Sequence, residues 1–562
     1  MLDILIRGGL VADGTGGELR PADVAISSGR VAAVGRLEGA QAEEVIDASG
    51  LVVCPGFIDM HSHSDLSLVS HPGATSSLLQ GITTEVAGSC GWSLAPVKRE
   101  TASGVLKGLC EGLLGEVPPE LAPDEDRRGL AWYSFGEYLD HIERLGPGVN
   151  LYPVVGQSLI RAHVVGTDRR PATPGEIEAM RELLKACLAE GARGLSTGRA
   201  YAPGGHASTE EVIALCRVVA ERGGLYSTHI KNESDGLVEA AAEAIRIGRE
   251  SGVRVEVSHH KAVGRPNYGR VGETLAMMEE ARRQGVDVTC DVYPYAFAQV
   301  FSLLAEVPGV SATQTDQEIA GLLAREEFRA KVTAELGRAL SAEAGAPGFI
   351  SRPEQYLVVS VGRDHDLEGR TLAEVLGPSP LAGWDKAKGR GEEPDRELVR
   401  IVVERGLDLL LAQDLHVHLA AMMSEDDVSA VLRHPETMVG TDAFALDREL
   451  GPRTPIHPRH YGTFPRVLGL YRRERGLGDL GDVVRKLTAL PARKLRLVDR
   501  GLLARGLAAD VVVFDPETIA DRATAHDPYR PPVGVRWVIV NGRVAVRDGR
   551  PTGVRAGLVL RD

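Results

Sequence analysis

The stretch PGFIDMHSHSD, residues 55–65, carries an apolar β-strand pattern directly into two histidines, His61 and His63. Alternate residues of a strand point to the same side, so both imidazoles can reach one metal ion at the end of this strand. His416 and His418 have the same spacing, but no turn cluster and no further candidate ligands accompany them, and for that pair we favour a structural role. The first pair therefore predicts a metal site where a strand ends.

The middle of the chain alternates β-branched strand patterns with amphipathic helical patterns, such as those at 175–189, 208–221, 236–251 and 273–284. The eight predicted strands span residues 51–59, 83–87, 149–155, 194–197, 224–228, 253–258, 286–292 and 437–441. Strands and helices in this order predict an α/β fold, a (β/α)8 TIM-like barrel. The loops that follow the strands of such a barrel converge on one mouth.

The two ends of the chain differ from the middle, because they consist of short strand patterns separated by turns such as Asn541-Gly542 and Asp548-Gly549. We expect residues 1–55 and 496–562 to form one small β-sandwich beside a barrel at 56–495. Between strands 7 and 8 the chain is too long for one helical connection, which predicts an insertion at about 296–395. Its charged helix at 316–343 and its Gly/Pro/Lys-rich loop at 377–395 either cap the barrel mouth or form a peripheral addition.

Composition excludes several classes of protein. The chain has 562 residues, 43% of them hydrophobic, and its 64 basic against 78 acidic residues give a net charge of −14. Such an acidic surface disfavours nucleic-acid binding. No apolar window is long enough for a transmembrane helix, the N-terminus does not resemble a signal peptide, and the six cysteines show no CxxC spacing. We expect a cytoplasmic protein with reduced thiols and no membrane partner; the oligomeric state stays open.

Further candidate metal ligands follow other predicted strands. One cysteine, two histidines and one aspartate come after strands 2, 5, 6 and 8, at Cys90, His229, His259 and Asp442. Alone, each has an ordinary alternative, such as a buried apolar role for Cys90 or a turn role for Asp442. Together with His61 and His63 they form a donor set that suits one or two zinc ions.

A possible nucleophile motif does not fit its context. Gly194-Leu195-Ser196-Thr197-Gly198 matches the G-x-S-x-G pattern of serine hydrolases, in which a helix follows the serine directly. Here residues 199–205 form a Gly/Pro-rich loop. We therefore do not expect Ser196 to be a nucleophile.

The chain resembles the amidohydrolase superfamily of metal-dependent (β/α)8 hydrolases and, more closely, its N-acyl-D-amino-acid deacylase branch. The PGFIDxHxH strand is typical of the superfamily, and the resemblance covers nearly the whole chain. The branch is indicated by GITT (81–84) leading to GSCG (88–91), SHHK (258–261), DVYPY (291–295), MSEDDV (423–428), HPRHYGTFPRVLG (457–469) and the strands of 506–562.

The resemblance implies how the metal is held. His61, His63 and Asp442 line one site, and Cys90, His229 and His259 line the other. Many relatives bridge two metals with a carboxylated lysine after strand 4, but strand 4 here ends without Lys or Glu, and Cys90 takes that place. One tight zinc ion and a weaker second one are expected.

The resemblance also implies a reaction, the zinc-dependent hydrolysis of N-acyl-D-amino acids to a carboxylic acid and a free D-amino acid. Asp442 is the expected catalytic proton shuttle. The expected substrate-binding residues are Lys261, Tyr293, Arg459 and Tyr201. The alternatives are a surface salt bridge for Arg459 and core packing for Tyr293.

Two positions depart from the branch. Gln299 stands where a serine usually contacts the substrate carboxylate, and Gln157 replaces a histidine after strand 3. These changes affect the acyl and side-chain pockets rather than the metal ligands. Because no arginine lies between Tyr293 and Pro308 to pair an acidic group, an apolar substrate side chain is favoured.

Two other functions are consistent with the fold. A cyclic-amide hydrolase of the hydantoinase kind shares the HxH pair and the late aspartate but expects the strand-4 lysine, which is absent. A non-catalytic scaffold on the same fold would be expected to lose ligands, and all six positions are occupied. The favoured partner is a small N-acyl amino acid.

Overall fold

The computed structural model describes residues 1–98, 106, 131–310, 314–341, 352–377, 395–450, 454 and 456–561. Cys110, the end of the predicted charged helix at 342–343 and most of the predicted loop at 378–394 lie outside these residues. Among the described residues, none of the helices has the length and apolar character needed to cross a bilayer.

Eight parallel strands form the predicted barrel. They are Phe57–Ser62, Ile82–Ala87, Asn150–Pro153 with its continuation Val155–Gly156, Gly194–Gly198, Leu225–His229, Arg254–Val257, Val288–Val292 and Thr437–Val439, numbered here as barrel strands 1 to 8. Neighbouring strands pair in parallel, and a parallel bridge between Ser62 and Ala443 joins strand 1 to the end of strand 8. The predicted α/β barrel is confirmed.

The first predicted strand, 51–59, is wrong in its bounds. The structure has two strands there, Val52–Pro55 and Phe57–Ser62, which belong to different sheets and separate at Gly56. A β-carbon at Gly56 would lie 2.1 Å from Thr83 Oγ1, so only glycine fits this change of sheet. The apolar run continues through the junction, and hydrophobic periodicity therefore does not reveal it.

Helices cover the barrel, and local sequence signals set their ends. Pro174–Ala189 begins with a capping box, because Thr173 accepts from the Glu176 N–H and Glu176 accepts from the Thr173 N–H. Its buried face repeats at helical spacing, with Met180, Leu184, Cys187 and Leu188. The other helices around the barrel are Ser64–Ser67, Thr75–Leu78, Phe135–Leu145, Gln157–Val164, Thr209–Glu221, Leu237–Ser251, Val271–Arg283, Glu425–Arg433, Arg459–Arg466, Leu480–Leu487 and Ala489–Leu495, with a π-helical stretch at Val467–Glu474.

The two ends of the chain share one nine-stranded sheet. Its strands are Leu2–Val11, Arg20–Ser27, Arg30–Gly35, Ala42–Asp47, Val52–Pro55, Val511–Phe514, Val535–Val540, Arg543–Arg547 and Arg550–Pro551. Side chains alternate between two cores: Val512 packs against the barrel, whereas Val513 packs inside the sheet's own core. An ion pair of 2.5 Å between Arg547 and Glu44 joins strands from the two ends of the chain.

The insertion between strands 7 and 8 has its own sheet and core. Phe297–Ser302, Val417–Met422 and Tyr356–Val361 form an antiparallel sheet with Val417–Met422 in the centre. Helices Asp316–Leu323, Glu326–Ser341, Leu372–Leu376 and Arg396–Ala412 belong to the same unit. Because the central strand follows residue 395, the inserted unit runs further along the chain than the expected 296–395.

Candidate metal centre

Asp59 ties the ends of barrel strands 1 and 8 together. Its buried Oδ1 accepts hydrogen bonds from the N–H groups of His61 at 3.0 Å and Thr441 at 2.9 Å, and its Oδ2 accepts from the Thr441 hydroxyl at 2.6 Å. The Asp442 N–H in turn donates to the His61 carbonyl at 2.7 Å. The aspartate of the PGFIDxH motif therefore fixes both His61 and Asp442.

The turn after strand 2 presents Cys90 in a left-handed conformation. The φ of Cys90 is 53°, between Gly88 at 93° and Gly91 at 81°. A β-carbon at Gly88 would lie 1.9 Å from the Val154 carbonyl oxygen, so the turn requires glycine. The hydroxyl of Ser196 accepts from the Gly91 N–H at 3.0 Å and donates to the Gly88 carbonyl. Ser196, from the rejected nucleophile motif, thus holds the cysteine turn, and strand 4 leads into a loop rather than a helix.

Donor atoms from four strand ends converge at the barrel mouth. Cys90 Sγ lies 3.4 Å from His61 Nε2 and 3.4 Å from His259 Nε2. Asp442 Oδ1 lies 3.4 Å from His61 Nε2. Each of these four residues, from strands 1, 2, 6 and 8, offers one ligand atom within 4.8 Å of the others. Three of the four, Cys90, His259 and Asp442, have positive φ, which is backbone strain of the kind that clusters at functional sites.

The remaining candidate ligands lie at the edge of this group. His229 Nδ1 is 3.0 Å from His259 Nε2 and 4.0 Å from Cys90 Sγ. His63 Nε2 is 3.1 Å from Asp442 Oδ1. Cys90 therefore contacts members of both expected sites, namely His61 of one and His229 and His259 of the other.

The protonation states of the donors suit a cation. Burial lowers the pKa of His61 to about 4 and also lowers the pKa of His229 and His259, so all three imidazoles are neutral at pH 7. Burial raises the pKa of the Cys90 thiol well above its ordinary value. A positive ion at this point reverses that effect by stabilising the thiolate. Neutral imidazoles, a thiolate and a carboxylate are the ligands that zinc prefers.

Glu233 is a site residue that sequence reasoning missed. Its Oε1 lies 2.7 Å from Lys261 Nζ and 3.0 Å from His259 Nδ1. Burial opposes the charge of Lys261, yet the adjacent Glu233 raises the lysine pKa above its ordinary value. Glu233 follows His229 by four residues in the loop after strand 5, and only that proximity to a candidate ligand could have marked it.

Arg459 joins the metal centre to the insertion. It is buried, which excludes the surface salt bridge considered above, and its Nη1 lies 2.8 Å from Asp442 Oδ2. Its Nη2 donates to Gln299 Oε1 on the first strand of the insertion. Burial acts to raise the pKa of Asp442, but Arg459 and the nearby histidines hold it well below its usual value. The insertion therefore reaches the barrel mouth through Gln299.

Two tyrosines border the same space. The Tyr293 ring lies 5.4 Å from Lys261 Nζ and 4.9 Å from the Arg459 guanidinium carbon. The Tyr201 hydroxyl lies 3.3 Å from His229 Nδ1. Both tyrosines are thus placed beside the donor cluster.

The His416/His418 pair and Gln157, which the sequence analysis singled out, have other contacts. His416 and His418 are at the central strand of the insertion, where their ring nitrogens lie 2.6 Å and 3.5 Å from the Ser360 hydroxyl. Gln157 is buried and donates to Glu211 Oε1 at 3.2 Å.

Known proteins resemble this chain in architecture and in sequence over nearly its whole length. The amidohydrolase family model matches residues 44–337 and 400–546. D-aminoacylase from Alcaligenes xylosoxydans xylosoxydans is 35% identical over 99% of this chain and 97% of its own. N-acyl-D-glutamate deacylase from the same organism is 35% identical over 100% of this chain and 96% of its own. The crystal structure of N-acyl-D-glutamate deacylase from Bordetella bronchiseptica, complexed with zinc and a phosphonate inhibitor, is 33% identical with a TM-score of 0.72 and covers 100% of both chains.

These similarities extend over the barrel, the terminal sheet and the insertion, and they agree with the motifs that indicated the family. The chain belongs to the amidohydrolase family and, within it, to the N-acyl-D-amino-acid deacylases, which are hydrolases of linear amides.

Proposed function

We propose that this protein hydrolyses the amide bond of N-acyl-D-amino acids with the help of zinc, giving a carboxylic acid and a free D-amino acid. The observation that carries the proposal is the cluster of His61, Cys90, His259 and Asp442, whose donor atoms lie within 4.8 Å of one another beside Arg459. A solved relative with this architecture is complexed with zinc and a mimic of the tetrahedral intermediate.

Cys90, His229 and His259 would hold the tight zinc ion, and His61, His63 and Asp442 a weaker one. When bound, zinc supplies a Lewis acid for the carbonyl oxygen and makes water acidic enough to attack near neutral pH. Asp442 takes one proton from the attacking water and delivers it to the nitrogen of the leaving amine. Arg459 keeps the pKa of Asp442 low, so the carboxylate is ionised before substrate binds.

The substrate α-carboxylate requires fixed positive charge. Arg459 and Lys261 are both buried beside the Tyr293 ring, and a guanidinium can bind a carboxylate through two hydrogen bonds. We assign Lys261, Tyr293 and Arg459 to this carboxylate, with Tyr201 at the side of His229. Glu233 and Asp442 hold the two cations in place before substrate arrives.

An apolar side chain is the favoured substrate group. Phe297, on the insertion strand that also carries Gln299, stacks on His457 with ring centroids 4.3 Å apart. His457 accepts a hydrogen bond from the Arg459 N–H at 3.0 Å, so the phenyl ring lies close to the proposed carboxylate site. An aromatic wall there suits leucine-like or methionine-like side chains better than acidic ones.

The test combines chirality with metal dependence. Purified enzyme should cleave N-acetyl-D-leucine or N-acetyl-D-methionine but not the L forms, and a chelator should abolish the activity until zinc is restored. Cys90→Ala should lose the tight zinc ion and the activity together. The matched control is Cys216→Ala, which removes a buried cysteine of helix Thr209–Glu221 and should leave both unchanged.

Two outcomes oppose the proposal in different ways. Equal rates on both enantiomers remove the D-specific assignment. Full activity of Cys90→Ala protein removes the metal assignment.

A further inference from the structure

A second group of metal-ligand side chains lies outside the barrel mouth. His365 and Glu368 belong to the turn that follows strand Tyr356–Val361 of the insertion, whereas His526 belongs to the C-terminal segment. These three residues come from parts of the sequence that are about 160 residues apart. Each offers one ligand atom within 4.8 Å of the others.

The carboxylate of Glu368 lies between the two imidazoles. His365 Nδ1 is 2.9 Å from Oε1, and His526 Nδ1 is 3.1 Å from Oε2. The ring centroids of the two histidines are 5.0 Å apart, in an edge-to-face arrangement. Both histidines therefore direct the same ring nitrogen at the same carboxylate.

Backbone contacts fix the position of Glu368. Its Oε1 accepts a hydrogen bond from the Val361 N–H at 3.0 Å. Its side chain is 16% exposed, while those of His365 and His526 are 55% and 61% exposed. Burial acts to raise the pKa of Glu368, but its contacts with His365 and Val361 lower it, so the group is a carboxylate at neutral pH. The carboxylate is thus held in place, and the two imidazoles are accessible from solvent.

We propose that His365, Glu368 and His526 form a second metal site, for a divalent ion of the zinc class, that joins the insertion to the C-terminal segment. Two imidazoles and a carboxylate with an open fourth position are a common zinc ligand set. At Zn–N and Zn–O distances of about 2.0–2.2 Å, neighbouring ligand atoms in a tetrahedron lie about 3.3–3.5 Å apart. The observed histidine–glutamate distances of 2.9 Å and 3.1 Å are slightly shorter than this spacing, and both histidine side chains are exposed.

Solvent can supply the fourth ligand. A cavity of about 540 Å³ borders the group and is lined by His526, His416 and Ser360, among other residues. His416 does not belong to the group of three ligand atoms, and its Nε2 lies 2.6 Å from the Ser360 hydroxyl. The site is therefore open to water on one side and has three protein ligands.

A metal ion at this position has a structural consequence. The insertion and the C-terminal segment are joined here by side chains, and a metal that binds only the folded arrangement stabilises it by mass action. The proposal is independent of the proposed reaction, since none of the three residues belongs to the barrel-mouth cluster.

The experiment counts metal ions per chain. Wild-type protein and the variants His526→Ala, His365→Ala and His416→Ala are dialysed against graded free zinc, and bound zinc is measured by elemental analysis. We expect the wild type and His416→Ala to bind about one zinc ion per chain more than the other two variants. Because His365 and His526 are exposed, their replacement is not expected to prevent folding.

Cobalt distinguishes the two sites. Cobalt bound by Cys90 gives a thiolate-to-metal charge-transfer band, whereas cobalt bound by two imidazoles and a carboxylate gives only weak d–d bands. The His526→Ala variant should keep the charge-transfer band and lose the additional d–d absorption. Equal zinc and cobalt content in wild type and His526→Ala up to millimolar metal would overturn the proposal and show a purely hydrogen-bonded cluster. Equal loss in His416→Ala would overturn the stated ligand set.

Discussion

Replacing Ser196 by alanine tests how the cysteine turn is held. Ser196 is fully buried, and its hydroxyl satisfies two backbone groups of the turn, the Gly91 N–H and the Gly88 carbonyl. The variant removes both hydrogen bonds without altering any candidate metal ligand. It should therefore weaken metal binding through the position of Cys90 alone.

The size of the effect follows from the two groups left unsatisfied. Each buried polar group without a partner costs about 1–3 kcal/mol, so the metal-free Ser196→Ala protein should lose about 2–6 kcal/mol of unfolding free energy. Loss of a residue that orients a metal ligand typically weakens affinity about 10- to 100-fold, and we expect zinc binding to weaken by that factor.

The assay has two parts and a matched control. Urea denaturation of the metal-free proteins gives the unfolding free energy, and competition with a chromophoric chelator gives the zinc affinity. Ser227 is the control, since it pairs with Ser196 on the neighbouring strand and its buried hydroxyl has no hydrogen-bond partner among the described residues. Ser227→Ala should change the unfolding free energy by less than about 0.5 kcal/mol.

One result would refute this reasoning. If Ser196→Ala binds zinc as tightly as the wild type while Cys90→Ala does not, the turn does not depend on the serine hydroxyl.

Three further variants test other contacts. Glu233→Gln removes the anionic partner of the buried lysine and should lower kcat/KM about 10- to 100-fold with zinc content unchanged, as steady-state kinetics and elemental analysis will show; parallel loss of zinc would contradict this positioning role. Gln299→Ala removes a hydrogen bond to Arg459, worth about 1.5–3 kcal/mol, and should raise KM about 10- to 100-fold at constant kcat; an altered kcat alone would oppose it. Phe464→Ala removes a buried ring stacked 5.5 Å from its aromatic neighbour and should cost about 3–5 kcal/mol in urea denaturation, whereas Val498→Ala, at a 92% exposed side chain, should cost almost nothing.

Much of the fold could be predicted because the barrel repeats one sequence pattern, a strand followed by a helix. Strands rich in β-branched residues alternate with amphipathic helices, and every barrel strand has a counterpart in the predicted set. The change of sheet at Gly56 could not be predicted, because the apolar run is the same on both sides of the glycine. The extent of the insertion could not be predicted either, since the pairing of Val417–Met422 with strands 60 to 120 residues earlier is set by tertiary contacts.

The grouping of the candidate ligand side chains at the barrel mouth could be predicted where residue type and strand end coincide. His61 lies at the end of barrel strand 1, and Cys90, His259 and Asp442 each follow a strand. Parallel strands bring these ends to one mouth. Glu233 could not be predicted, because an acidic residue within a loop is ordinarily solvated. Gln299 shows the same limit: it was noticed only as a departure from the branch, and its contact with Arg459 depends on how the insertion is folded.

The pairing of Val52–Pro55 with Val511–Phe514 bears on biosynthesis. During translation the first of these strands is made more than 450 residues before its partner. Until then its unpaired edge stays open to association with other chains, and the strand carrying His61 follows it directly. A prematurely terminated product would therefore expose an unpaired strand edge next to an incomplete barrel. We expect such a product to aggregate rather than to retain activity.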